Sequence, residues 1–144
     1  MSRVGASPEA SGVTGGGAAP RVAPMALTLS SQADRRLTSA AWQADPVERF
    51  TGAYIAGLRA AAAVLAARGR PHRGRARPTS VWTLLSSVAP ELSDWAGYFA
   101  AQSGTYAAAQ AGIGHRVTAA AADDLLQHAG RFLGVVERQL GRSG

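Results

Sequence analysis

The sequence predicts an all-α protein, an antiparallel up-and-down bundle of four to five helices. Three observations lead there. Apolar residues recur at three- and four-residue spacing in successive segments, and nothing alternates with period two for long enough to form a strand. Asp45-Pro46, Pro90 and Thr118 punctuate those segments where helices begin or end. The 144-residue chain is 47% hydrophobic, much of it alanine, which suits close approach between helices. This length is that of one domain with a real core.

The elements follow in order. Residues 1–24, MSRVGASPEASGVTGGGAAPRVAP, have few large apolar groups to offset ordering entropy and read as a disordered leader. The bundle is expected over 25–142. Ser31 suits an N-cap with Asp34 three residues on, and Leu37, Ala41 and Ala44 then share a face up to Asp45. Asp45 caps the next helix, with Pro46 in its first turn and Glu48 at the capping-box position. Phe50, Tyr54, Leu58, Ala61 and Leu65 make its stripe, and it runs to Arg68, roughly 34 Å. Gly69 and Pro71 end it. Thr79 or Ser80 caps a short helix facing Val81, Leu84, Leu85 and Val88 inward. Pro90 breaks it, and Glu91 and Asp94 fit the positive end of a further helix. That helix turns Leu92, Trp95, Phe99 and Tyr106 inward, has a weak point at Ser103-Gly104, and stops at Gly112-Ile113-Gly114. Thr118 caps the last helix, which carries Leu125, Ala129, Phe132, Leu133, Val136 and Leu140 on one face. Trp42, Trp82 and Trp95 are expected as anchors in the core or at its edge.

Composition bounds the chemistry. All 15 basic residues are arginine, against nine acidic ones, for a net charge of +6. That balance favours a polyanion or an acidic partner. With no cysteine there is no disulfide, thiol catalysis or thiolate metal site, and the chain fits a reducing cytoplasm. No segment reads as a signal peptide, and Arg59 near the middle of the apolar run Phe50–Ala67 argues against a membrane span. A soluble, cytoplasmic protein with no membrane contact is expected.

The chemistry concentrates in ARGRPHRGRARPTS, Ala67–Ser80, which holds five arginines and a histidine and no acid. Arg68, Arg70, Arg73, Arg75 and Arg77 are spaced mostly by two, so that in extended backbone several guanidiniums lie on one side and can follow a phosphate backbone. The guanidinium fork suits phosphate. With His72 they are the candidate nucleic-acid-binding residues. A solvated loop joining two helices has the same composition. No aromatic residue lies among them, so base stacking has no support there.

Catalytic and metal signals are weak. His115 lies in the turn GIGHRVT. Asp124, His128 and Arg131 cluster on one flank of the last helix, where the arrangement is either a site for proton transfer or an i, i+4 surface pair. There is no His-x3-His, and adjacent Asp123 and Asp124 splay about 100° apart. No metal or cofactor is expected. GVTGGGAAP lacks the lysine of a P-loop, and no Gly-x-Ser-x-Gly elbow occurs.

Four separated pieces occur together in order: Asp45-Pro46 with Glu48-Arg49, Ser80-Val81-Trp82 with Leu84-Leu85, Ala89-Pro90-Glu91-Leu92, and Asp123-Asp124-Leu125-Leu126. Over Leu27–Leu140 the chain resembles a small stand-alone actinobacterial family of the HEPN superfamily. The resemblance implies an up-and-down helical bundle, commonly dimeric, in a superfamily of RNA-cutting enzymes and nucleotide-binding partners. Its ribonucleases carry an arginine followed after four to six residues by a histidine. Here the corresponding windows are Leu65–Ala67 before His72, Ala108–Gln110 before His115 and Ala121–Asp123 before His128, and none holds an arginine. Arg68 and His72 come closest, one residue too near and across a helix end.

The expected function is therefore a non-catalytic HEPN-like domain that binds nucleic acid, a nucleotide or a protein partner, as a homodimer. One alternative is a divergent metal-independent ribonuclease, using His72 with Arg68 or Arg70, or His128 with Arg131. Another is an adaptor for a nucleotidyltransferase-like protein.

Overall fold

Five α-helices are described: α1 (Ala18–Ala41), α2 (Pro46–Ala67), α3 (Pro78–Val88), α4 (Ser93–Gln110) and α5 (Ala119–Ser143). A 3-10 turn, Pro90–Leu92, joins α3 to α4. The computed structural model describes the backbone of residues 18–69 and 78–143 and the side chains of 24–69 and 81–141. Among these residues no strand occurs.

Helix α2 touches each of the other four. Its start is built as the sequence predicts: Asp45 is extended at φ −74°, ψ 124°, and its carboxylate accepts from the Glu48 N–H at 3.3 Å. Gly69 closes its other end in the left-handed region at φ 74°, where a side chain would be strained. Among the described helices α2 alone is long and apolar enough to cross a membrane, and 61% of that window is buried in the bundle. It is thus placed as the core helix of a soluble domain would be.

The direction of each helix follows from its contacts. A Cβ on Gly52 would stand 2.9 Å from that of Ala40, so α1 packs antiparallel to α2 with almost no gap. On α4, Phe99 lies against Gly57 while Tyr106 stacks on Tyr54, so α4 also opposes α2. Arg49 pairs with Asp123 at the start of α2 and α5, and Arg68 reaches Gln139 at their far end. Those two helices run parallel. Helices α1, α2, α4 and α5 therefore alternate as an up-and-down four-helix bundle, with short α3 packed on α2 and α4.

The core is an aromatic stack. Tyr54, Trp82, Phe99 and Phe132 are fully buried. Trp82 lies flat on Phe99 at 4.8 Å and 12°, with Tyr54 edge-on to Trp82 at 6.1 Å. Contacts of this kind add about 0.5–1.5 kcal/mol each beyond the area they bury. The one indole N–H inside the stack is satisfied, since Trp82 Nε1–H donates to the Tyr54 hydroxyl at 2.9 Å.

Four sequence expectations change. Helix α1 passes through Ser31 and Pro24 and starts at Ala18, inside the stretch read as leader, whose residues 1–17 lie outside the described ones. Its inner face is Ala26, Ser30, Ala33, Leu37 and Ala40, a four-three-four-three spacing of mostly small residues that packs on α2 and α5. Trp42 is 86% exposed, because α1 ends at Ala41 and the final turn closes through the Trp42 N–H on the Ser39 carbonyl at 3.2 Å. Trp82 is buried as expected and Trp95 is half-buried. Helix α4 does not weaken at Ser103-Gly104: the Ser103 hydroxyl donates to the Ala100 carbonyl at 2.7 Å and the helix runs on to Gln110.

Candidate nucleic-acid interface

The basic stretch leaves α2 at Arg68. Its backbone N–H still bonds the Val64 carbonyl at 3.0 Å, and the Gly69 N–H bonds that of Ala66 at 3.1 Å. The Arg68 side chain turns back over the bundle. Its guanidinium pairs with the Glu91 carboxylate, donates to the Val88 carbonyl at 3.2 Å and reaches Gln139 Oε1 at 3.4 Å. One side chain thus joins the end of α2 to α3, the 3-10 turn and α5. The hydrogen bond from Arg68, then that from its own backbone, holds the Glu91 carboxyl below the usual carboxylate range. Both partners are partly exposed, so the pair itself adds only modest stability.

Arg70, His72, Arg73, Arg75 and Arg77 lie outside the described residues. What is described is where they attach: Gly69 after α2 and Pro78, the first residue of α3. Arg68 is the described member of the candidate set, and its guanidinium is engaged within the chain. Sequence reading placed Glu91 only at a helix start. Its pairing with Arg68, 23 residues away, leaves no periodic signal.

The histidines occupy different surroundings. His115 is exposed in the connector between α4 and α5. His128 is packed: its ring stacks on Tyr98 at 3.9 Å and 13°, and Trp95 meets it edge-on. Its Nδ1 lies 2.8 Å from the Asp124 backbone carbonyl and 3.5 Å from the Asp124 carboxylate. The same carboxylate accepts from the Tyr98 hydroxyl at 2.7 Å. Burial first, and that bond second, push the Tyr98 hydroxyl pKa up. Arg131 is exposed on the next turn and belongs to none of the ion pairs found among the described residues. This arrangement joins α4 to α5 beside the aromatic contacts of Phe132 with Trp95 at 5.6 Å and Phe99 at 5.4 Å. Arg49 is engaged at the same end of α5, through the adjacent Asp123. Besides pairing with Asp123 it donates to the Gln43 and Ala44 carbonyls at 3.1 and 3.3 Å, fixing the turn between α1 and α2. No group of three or more His, Asp or Glu among the described residues is placed to hold a metal ion.

An alternating four-helix frame with a short added helix and an aromatic centre defines the class: a small all-α bundle domain. The family follows from comparison. A family model described as SAV_6107-like HEPN matches residues 40–137, from the last turn of α1 through most of α5, and the chain belongs to that family. No curated protein and no solved structure shows significant similarity to it.

Proposed function

We propose that this HEPN domain is a non-catalytic, cytoplasmic binding module for nucleic acid, with Arg70, Arg73, Arg75 and Arg77 as phosphate contacts. The observation that carries the reading is the run Ala67–Ser80, five arginines without an acid, anchored at both ends to helices of the bundle. Anchored ends limit the entropy lost on binding, and guanidiniums on a short connector neutralise adjacent phosphates. Without aromatic residues there, binding is set by charge and shows little base specificity. His72 adds a hydrogen-bond donor within the same run. The absence of an arginine at ribonuclease spacing before any histidine supports binding without cleavage.

The test is fluorescence anisotropy with labelled single-stranded RNA and duplex DNA from low to physiological salt. The native protein is compared with a variant carrying Arg73→Ser, Arg75→Ser and Arg77→Ser. Saturable binding that collapses in the variant supports the reading, and each lost phosphate contact flattens the log–log salt slope by about 0.7–0.9. Binding equal in both proteins, or none above a few tens of millimolar salt, refutes it. Cut RNA on a gel afterwards transfers the case to the ribonuclease alternative, and His128→Ala and His72→Ala then identify the proton carrier.

A second reading is a protein partner, either another copy of the chain or a nucleotidyltransferase-like protein. The observation favouring it is the outer face of α4, where Gly97, Ala101 and Gly104 are exposed and no charged residue occurs from Trp95 to Gln110. Light scattering coupled to size exclusion tests the homodimer directly.

A further inference from the structure

We draw no further inference here: the strongest candidate, the surface around Trp42 on the turn between α1 and α2 that Arg49 fixes, is apolar and unpartnered, and nothing in the structure shows what covers it.

Discussion

Adding one methyl group at Gly57 tests whether the aromatic centre is as tightly closed as the packing indicates. A Cβ built there lies 2.6 Å from Phe99 Cε1, 3.0 Å from Cδ1 and 3.1 Å from Cζ. Ordinary carbon contacts are about 3.5–4.0 Å, so the ring has to retreat by nearly an ångström. It has nowhere to go. Trp82 is stacked on it at 4.8 Å, Phe132 lies at 5.4 Å, Tyr98 at 5.3 Å and Tyr54 at 6.5 Å. Overpacking of this kind costs about 1–3 kcal/mol, and three close contacts put Gly57→Ala in the upper part of that range. Alanine returns about 1 kcal/mol of helix propensity, leaving a net loss of about 1–2 kcal/mol. Gly104→Ala is the control. It sits inside α4, where a Cβ meets nothing within 4 Å, so the propensity gain of about 1 kcal/mol stands alone. The two variants should therefore differ in sign, and by about 2–3 kcal/mol in total. Urea unfolding followed by circular dichroism reads this as opposite shifts in midpoint at equal slope. If Gly57→Ala is at least as stable as the native chain while Gly104→Ala gains, the closed aromatic centre is refuted.

Three further outcomes follow from the same packing. Tyr54→Phe strips the acceptor from the buried Trp82 Nε1–H and should cost about 1–3 kcal/mol in urea unfolding, the penalty of an unpaired buried donor. Glu91 has a folded-state pKa below its ordinary 4.5, so its contribution is complete above that value and is lost as pH falls through the folded pKa; in acid titrations Arg68→Met should flatten the fall in stability below 4.5. Tyr54, through burial, and Tyr98, through burial and its bond to Asp124, have pKa values above the ordinary 10.0. Their contribution is complete below 10.0 and lost as pH rises beyond it; stability should fall there, and less so in Tyr98→Phe.

The parts of the fold legible in sequence are those carried by large apolar residues and by capping chemistry. Asp45-Pro46, Gly69, Thr118 and Gly112 mark helix ends, and each acts as its residue type predicts: the Ala121 N–H donates to Thr118 Oγ1 at 3.0 Å, and Gly112 turns at φ 86°. Helix α1 was legible only in its last turns. Apart from Leu37 its inner face is alanine and serine, small residues whose value is the short distance they allow between backbones, and its first turns fall in the stretch read as leader. Trp42 misled for the opposite reason. Its size suggests a core role, but size says nothing of where a helix stops. At the candidate interface the composition of Ala67–Ser80 was plain, whereas the engagement of Arg68 was not. A pair formed across 23 residues depends on where α3 and the 3-10 turn come to rest, and that is a property of the assembled bundle.

Helix dipoles give a reason why the charge of this connector exceeds what the fold itself uses. A cation at the C-terminal end of α2 is favourable, since the carbonyls there carry partial negative charge, and Arg68 fulfils that role. The other end of the connector has the reverse polarity. Pro78 opens α3, where unpaired N–H groups carry partial positive charge and acidic residues are normally favoured. The first turn of α3 contains no acid, and Arg77 and Arg75 precede it directly. Structural need therefore accounts for one arginine at the first end and for none at the second. Basic residues that precede a helix start in sequence run against the usual charge preference there. The proposed phosphate-binding reading rests on this asymmetry of sequence as well as on the net charge of the whole chain.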